Sequence, residues 1–274
     1  MIDKVESDKL EFNKIGFTVI KNALSVKDVD ALKTFLEKRI NLNKKKFYKW
    51  LEKSNVEPKL KKSKVYSLHQ KKLPYYAQYH KLPKDLEHYL VGEFDVETRT
   101  SKKIQSFLSK TKFVNSIKNF TNLNRFLIKF PPSPTFTKGE KTSSVPLHQD
   151  WIYNQSLSDF VTVWIPLVTI TDKIGGLVFY EGSHMNKKIE HIKGKDWDFE
   201  FELTKIKKFK RTHAKVKKGD LLLFHPYTLH KSAPHTSNKK RMSMNVRVFG
   251  FSNKVTSSYF DPQSRKITRG TRSK

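Results

Sequence analysis

The sequence predicts a mostly β protein with flanking helices, in which one barrel or jelly roll forms the core. Two observations support this prediction: several short apolar runs are separated by turn residues in the second half, and no internal repeat divides the chain. Short strands with turns between them are typical of barrels and jelly rolls. With 36% hydrophobic and 12% aromatic residues, 274 residues are enough for one sizeable core with helices around it. We therefore expect a single domain over residues 1–274.

The N-terminal part of this domain, residues 1–124, is predicted to contain a short strand followed by helices. Residues 16–20 alternate in polarity like a strand. Apolar residues then recur at helical spacing over residues 26–40, and a second helical pattern covers residues 102–120. Residues 41–90 are rich in Lys and Tyr and give no secure assignment.

The predicted jelly-roll core occupies residues 125–252. Its strand candidates are the apolar runs at residues 126–130, 160–168, 176–180, 221–224 and 242–251. The remaining residues, 253–274, are polar and basic, and we expect this tail to be mobile. Residues 185–215 contain a lysine-rich insert of unassigned role.

Composition limits the classes of function. The absence of cysteine excludes disulfides, thiolate metal sites and cysteine nucleophiles. No apolar run is long enough to cross a membrane, and the N-terminus lacks a secretory pattern, so we expect a cytoplasmic protein. The formal net charge of +29 favours anionic ligands or partners. However, only nine of the 55 basic residues are arginine, the residue that grips phosphates with two hydrogen bonds, and the lysines are scattered.

The most specific local pattern is His148-Gln149-Asp150. If this segment is a strand, His148 and Asp150 point to the same face, because side chains two residues apart in a strand share a face. Non-haem iron(II) oxygenases bind their metal with two histidines and one carboxylate and leave the opposite positions open. The pattern alone is weak, since such a pair is more often an ordinary surface or hydrogen-bonded His and Asp.

A second segment offers the missing ligand. Residues 219–230 contain a Gly-Asp turn and an apolar run that we interpret as a strand running toward His230. A loop follows, and Arg241 begins the next predicted strand. A histidine and an arginine so placed can face one cavity, where the guanidinium can form a two-pronged salt bridge with a carboxylate. Arg247 shares the face of Arg241 on a regular strand and is the rival carboxylate anchor.

Three further side chains near these motifs have open roles. Tyr153 follows the first motif and either lines the pocket or packs in the core. His235 lies in the loop before Arg241 and is a candidate substrate contact. His225 lies five residues before His230, and this odd spacing predicts the opposite face of the strand.

Six ordered motifs run through most of the chain: FNKIGFTVIKNAL at 12–24, IKFPP at 128–132, PLHQD at 146–150, DFVTVWIPL at 159–167, GGLVFYEGSH at 175–184 and GDLLLFHPYTLHKSAPHTS at 219–237. At these spacings the sequence resembles the phytanoyl-CoA dioxygenase family. The resemblance implies a double-stranded β-helix, the cupin-like jelly roll, that carries mononuclear iron. Glu181 stands where the family commonly has Pro, and His235 stands where it has Asn; neither is a ligand position.

The resemblance also implies roles for individual residues. His148, Asp150 and His230 match the metal ligands. Arg241 matches the arginine that binds the C5 carboxylate of 2-oxoglutarate, and Ser232 and Trp164 match positions that line the same pocket.

The implied cofactors are iron(II), 2-oxoglutarate and O₂. The implied reaction hydroxylates an unactivated C–H bond of a small or carrier-linked metabolite and releases succinate and CO₂. Related halogenases have a small residue in place of the carboxylate, so Asp150 favours hydroxylation.

Two other functions remain open at this stage. The jelly roll could be a non-enzymatic binding protein for anionic ligands or nucleic acid, or a cupin-like isomerase or hydrolase with another metal. A pure binder needs neither the triad nor Arg241, and the cupin enzymes typically use more histidines and no deep arginine. We expect a small-molecule substrate with an anionic group. We expect no membrane partner, and no specific binding of nucleic acid, because no compact arginine–aromatic patch is present.

Overall fold

The computed structural model describes residues 3–53, 92–137, 145, 147–189, 201, 206–251 and 256–270. The unassigned residues 54–91 and much of the lysine-rich insert lie outside these ranges. No helix in the described part of the chain is long and apolar enough to cross a membrane.

The described residues before β2 contain five α-helices: α1 (Lys4–Ile15), α2 (Val26–Lys53), α3 (Val96–Arg99), α4 (Lys102–Leu108) and α5 (Thr111–Thr121). The sequence did not predict α1, and α2 continues well beyond residue 40. The helical prediction for residues 102–120 is confirmed for most of these residues, but they do not form one continuous helix. The structure divides the segment into α4 and α5, because the backbone of Lys110 is extended between them.

The β core consists of two antiparallel sheets, as the prediction of a jelly roll requires. The strands are β1 (Phe17–Ile20), β2 (Leu127–Lys129), β3 (Ser133–Thr137), β4 (Val161–Pro166), β5 (Leu177–Tyr180), β6 (Arg211–His213), β7 (Leu221–Phe224), β8 (His230–Ser232), β9 (Arg241–Phe249), β10 (Tyr259–Asp261) and β11 (Lys266–Thr268). The larger sheet has the order β1-β7-β4-β9-β2-β10-β11, and β3 also pairs with β9. The smaller sheet has the order β6-β5-β8.

The two faces of β9 show how the layers are arranged. Met242, Met244, Val246 and Val248 are buried in one apolar cluster with residues of α2, α4 and α5. The alternate residues lie on the opposite face, since side chains alternate along a strand, and all of them except Phe249 are polar. On that side the rings of Phe17, from the larger sheet, and Phe179, from the smaller sheet, stack at 4.4 Å. Polar side chains of β9 therefore face the side of the larger sheet on which the smaller sheet packs.

The junction between α1 and β1 requires a glycine. Gly16 ends α1 with φ of +91°, a left-handed conformation that other residues rarely adopt. A Cβ at this position would also meet the side chains of Thr228 and His184. This turn brings β1 alongside β7 in the larger sheet.

The prediction of a mobile C-terminal tail is wrong for residues 256–270. β10 and β11 form a hairpin, and β10 pairs with β2 at the end of the larger sheet. Arg125 and the buried carboxylate of Asp261 form an ion pair that ties the hairpin to the segment before β2. Non-local pairing thus orders this basic segment.

A buried carboxylate connects α2 with α3. Asp95 accepts hydrogen bonds from the Thr98 backbone N–H at 2.7 Å, from Asn43 Nδ2 at 2.9 Å and from Arg39 Nη2 at 3.3 Å. Burial disfavours its ionised form, but these hydrogen bonds and the charge of Arg39 outweigh burial and hold the pKa of Asp95 below its usual value. The ionised carboxylate therefore stabilises the fold above pH 3.8, and this stabilisation is lost as the pH falls through the lowered pKa.

We predict that Asp95→Ala lowers the free energy of unfolding by about 2–3 kcal/mol, because several charge-assisted hydrogen bonds lose their acceptor. Urea unfolding at neutral pH provides the measurement. Asp30→Ala is the matched control, since Asp30 is 49% exposed in its ion pair with Lys218. Such an exposed pair contributes less than about 1 kcal/mol. Equal losses in the two variants would contradict the stabilising role of Asp95.

Candidate metal centre

The backbone itself brings His148 and His230 together. Each donates its N–H to the carbonyl oxygen of the other at 3.0 Å, which forms an isolated antiparallel bridge. The two imidazole rings consequently lie with their centroids 4.2 Å apart. His230 is the first residue of β8 in the smaller sheet, and its ring also contacts Phe224 of the larger sheet at 4.6 Å. The pair therefore lies between the sheets.

The local structure around both motifs differs from the sequence interpretation. His148 belongs to no extended strand, and Asp150 begins a short 3-10 helix, Asp150–Tyr153. The apolar strand predicted to run toward His230 ends at Phe224, and a turn separates it from β8. The side chains of His148 and Asp150 from the first motif nevertheless lie close to that of His230 from the second.

Three potential ligand atoms of these side chains lie close together. Asp150 Oδ1 lies 3.5 Å from His148 Nε2 and 3.8 Å from His230 Nε2. All three atoms lie within 4.8 Å of one another, and all three residues are buried. With metal–ligand bonds of about 2.1 Å, two ligands of one ion lie about 3 Å apart at a right angle and at most about 4.2 Å apart. Small side-chain adjustments thus suffice for one ion to bind all three atoms.

The protonation state of this cluster suits a metal cation. His230 Nδ1 lies 2.9 Å from the carbonyl oxygen of Thr228, which can only accept, so Nδ1 carries the proton and Nε2 has a free lone pair. Burial, followed by repulsion from His148, lowers the pKa of His230 to about 3. Burial opposes the ionisation of Asp150, but Arg247 and the two histidines hold its pKa far below the usual range. A neutral imidazole and a carboxylate are the forms that bind metals.

The sequence analysis missed the role of Gln149. This fully buried side chain donates to the carbonyl oxygens of Tyr227 at 2.6 Å and Lys187 at 2.9 Å. Its Oε1 accepts hydrogen bonds from Trp151 Nε1 at 2.9 Å and from the Ile189 backbone N–H at 3.0 Å. Gln149 thereby fixes the segment that carries two of the three candidate ligands. The sequence contained one signal for this role, namely the position of polar Gln149 between two candidate ligands.

The residues matched to the 2-oxoglutarate pocket lie on both sheets. Arg241, at the start of β9, donates to Ser232 Oγ of β8 and to the Gly176 carbonyl oxygen, both at 3.4 Å. Arg241 is only 7% exposed, and burial lowers its pKa to about 10. Trp164 of β4 is buried in the cluster between the sheets and pairs in register with Asn245. By this register Trp164 shares the sheet face of Arg241.

The two arginines of β9 differ in their partners. Arg247 donates to Asp150 Oδ2 at 3.0 Å and so already has a carboxylate partner. Arg241 forms no ion pair with any residue for which the structure gives a position. A buried guanidinium without a counter-ion is unfavourable, and a carboxylate bound beside Arg241 would compensate its charge.

The remaining candidates have different environments. Tyr153 is 49% exposed, and its ring packs edge-on against His148 at 5.7 Å, so it belongs to the surroundings of the centre and not to the core. His235 is buried, with Nδ1 2.8 Å from Thr137 Oγ1. His225 packs against Phe12 and His184, away from the candidate ligands. Its separation from the centre follows from the turn after β7 and not from strand alternation.

Two antiparallel sheets around a two-histidine, one-carboxylate cluster define a jelly-roll protein with a candidate mononuclear non-haem metal site. The sequence profile of the phytanoyl-CoA dioxygenase (PhyH) family matches residues 12–243. The chain therefore belongs to the phytanoyl-CoA dioxygenase family.

Two curated relatives are similar over part of the chain. The 1-deoxypentalenic acid 11-beta-hydroxylase of Streptomyces arenae is 32% identical over 133 residues, which cover 43% of this chain and 45% of the relative. The enzyme of the same name from Streptomyces exfoliatus is 33% identical over 131 residues, which cover 44% of this chain and 46% of the relative. In both cases the match thus spans less than half of the relative.

Solved structures share the fold over most of the chain. The epimerase SnoN in complex with Fe³⁺, alpha ketoglutarate and nogalamycin RO aligns with a TM-score of 0.58 at 13% identity, covering 91% of this chain and 84% of SnoN. The nickel complex of the non-haem monooxygenase ThoJ aligns with a TM-score of 0.57 at 14% identity, covering 96% and 84%. At these identities the comparison shows a common jelly-roll fold.

We predict that His148→Ala, Asp150→Ala and His230→Ala each abolish the binding of one iron(II) per chain. An open site with three protein ligands loses most of its affinity when one ligand is removed. Anaerobic metal titration of the purified variants provides the measurement. His213→Ala is the control, because His213 is exposed on β6. Full-strength iron binding in all three ligand variants would contradict the assignment.

Proposed function

We propose that the protein is an iron(II)- and 2-oxoglutarate-dependent dioxygenase. Its proposed reaction hydroxylates an unactivated C–H bond of a small or carrier-linked metabolite. In this reaction one oxygen atom of O₂ enters the product alcohol and the other enters succinate, which is formed from 2-oxoglutarate together with CO₂.

The observation that carries this proposal is the combination of the buried triad with Arg241 in the same space between the sheets. His148, Asp150 and His230 would supply three ligands to one ion, and a site with three protein ligands leaves positions for a cosubstrate and for O₂. Arg241 is buried and lacks a carboxylate partner within the described part of the chain, whereas 2-oxoglutarate carries a second carboxylate that needs one. The two features together match the two ends of this cosubstrate.

Iron(II) with 2-oxoglutarate supplies the oxidising chemistry, and the chain supplies binding, orientation and a dry cavity. In our proposal His148, Asp150 and His230 hold the metal. The Arg241 fork binds the C5 carboxylate and fixes the distance of the keto-acid end from the metal. Ser232 keeps the guanidinium oriented through their 3.4 Å contact, and Trp164 forms part of the pocket wall.

Hydroxylation is supported over other outcomes by two features. The two curated relatives are named as hydroxylases, and the site has a carboxylate at position 150 and not a small residue. A binding protein without catalysis would need neither a metal-ready cluster nor a desolvated arginine next to it. Both features are unfavourable in a buried interior unless a ligand compensates them.

We propose further that the substrate is small and carries an anionic group. Lys129 and Arg247 lie near Asp150, and Lys129 Nζ is held by Asn154 Oδ1 at 2.9 Å. Burial, then repulsion from Arg247, lowers the pKa of Lys129. Lys129 has no carboxylate at ion-pair distance among the described residues. The charge of +29 would in addition enrich anions near the pocket.

We predict that Arg241→Ala weakens 2-oxoglutarate binding at least tenfold while iron(II) binding stays near normal. Removing one partner of a buried charge pair costs roughly 2–5 kcal/mol. Arg241→Lys should restore only part of the affinity, because one ammonium group cannot replace the planar fork. Isothermal titration of 2-oxoglutarate into the iron-loaded, anaerobic protein measures the effect. A selective loss of 2-oxoglutarate binding in Arg247→Ala, with Arg241→Ala unaffected, would contradict the assignment.

The proposed activity is tested by succinate release from 2-oxoglutarate in the presence of fractionated small-molecule pools and cell extract. We predict stimulation by small anionic compounds, a product with one added oxygen by mass analysis, and a response that weakens as salt rises. DNA and RNA oligomers should not stimulate turnover at physiological ionic strength, because lysine-driven binding to polynucleotides fades steeply with salt. His230→Ala is the inactive control. Oligonucleotide-stimulated turnover that survives this salt would contradict the small-molecule proposal.

A further inference from the structure

The two oxygens of Asp150 have separate surroundings. Oδ1 faces the Nε2 atoms of His148 and His230. Oδ2 points the other way and accepts two hydrogen bonds, from Thr162 Oγ1 at 2.6 Å and from Arg247 Nη2 at 3.0 Å. The carboxylate is thus held by one oxygen and presented to the candidate metal by the other.

The pairing of β4 with β9 builds this contact. Thr162 and Arg247 are directly opposite in the register of the two strands, so both side chains rise from the same face of the larger sheet. Thr162 is fully buried, and the Arg247 side chain is 15% exposed. The two donors therefore belong to paired strands of the larger sheet. Their acceptor, Asp150, is the first residue of the short 3-10 helix Asp150–Tyr153.

The guanidinium of Arg247 contacts Asp150 through Nη2 but does not pair all of its donors among the described residues. Its Nε is buried and has no hydrogen-bond partner among the described residues. A buried donor without an acceptor is unfavourable, so the contact with Asp150 is made at the expense of the Nε donor of Arg247. An arginine that served only to tie two strands together would find its acceptors along the backbone.

We propose that Arg247 and Thr162 are positioning residues that hold Asp150 as a one-oxygen ligand of the metal. This inference rests on the proposed function. A carboxylate can bind a cation through one oxygen or through both, and side chains that orient a ligand strongly affect metal affinity. With Oδ2 held by two donors, Asp150 rotates neither toward a two-oxygen mode nor away from the ion. The coordination positions needed by 2-oxoglutarate and O₂ consequently stay open.

The inference gives the two arginines of β9 different phenotypes. Loss of Arg241 should affect 2-oxoglutarate and leave the protein–metal complex unchanged. Loss of Arg247 should alter the protein–metal complex itself, before any cosubstrate is added. Metal binding and spectroscopy therefore separate the two roles without any measurement of turnover.

The test uses cobalt(II) as a probe, because its absorption spectrum reports the number and geometry of its ligands. Cobalt(II) is titrated into the unsubstituted protein and the variants Arg247→Met, Arg247→Lys, Thr162→Val and Thr162→Ser. We expect Arg247→Met and Thr162→Val to lose about 10–100-fold in cobalt(II) affinity and to shift the spectrum, the usual consequence of removing the support of a metal ligand. Thr162→Ser keeps the hydroxyl and should behave like the unsubstituted protein, and Arg247→Lys should recover part of the loss.

Arg125→Met is the matched control, because Arg125 also pairs with a buried carboxylate, Asp261, but lies away from the centre. It should lower stability without changing cobalt(II) affinity or the spectrum. Unchanged affinity and spectrum in both Arg247→Met and Thr162→Val would overturn the inference alone. So would equal defects in Thr162→Ser and Thr162→Val, and this pair decides the question if Arg247→Met does not fold. Failure of the unsubstituted protein to bind cobalt(II) or iron(II) would overturn the proposed function, and the inference with it.

Discussion

The reciprocal backbone hydrogen bonds between His148 and His230 are the constraint on which the centre depends. They join the segment before the 3-10 helix to the first residue of β8, so two distant parts of the chain meet between the sheets. Because these bonds involve only the backbone, they place the two imidazoles independently of any metal. Gln149 reinforces this arrangement from the other side, since its side chain connects the same segment to Tyr227 and Ile189. Backbone and side-chain hydrogen bonds of the protein thus bring the candidate ligands of the two motifs together.

Burial gives the centre its electrostatic character. Desolvation favours neutral imidazole at His230, and the charge of Arg247 with the hydrogen bond from Thr162 keeps Asp150 ionised. Asp150 therefore interacts with Arg247 through Oδ2, and its Oδ1 remains available to a cation. At the other end of the same strand, Arg241 is buried and has no carboxylate partner among the described residues. β9 therefore carries one arginine that is neutralised by the candidate ligand Asp150 and one whose charge is not neutralised within the described part of the chain.

The sequence predicted the class of fold and the four residues of the proposed centre, because those residues lie in short motifs whose order and spacing are specific. It did not predict α1, in which only Asp8 and Phe12 are buried and the apolar periodicity is therefore faint. It also missed the β10–β11 hairpin, whose three-residue strands are ordered by pairing with the distant β2. The contact of Arg247 with Asp150 could not be predicted either, because it also depends on pairing between distant strands. It depends on the register of β4 against β9, and register is a property of the whole sheet.

This register also connects stability with the proposed activity. The side chains of β9 alternate, so Met242, Met244, Val246 and Val248 face the helices while both arginines lie on the opposite face of the sheet. A shift of one residue would move the apolar set to that opposite face and bury both guanidinium groups against the helices, which is strongly unfavourable. The hydrophobic packing of α2, α4 and α5 on the larger sheet therefore fixes the positions of Arg241 and Arg247 as well. The apolar surface that these helices bury therefore also places Arg247 beside Asp150 and Arg241 beside Ser232.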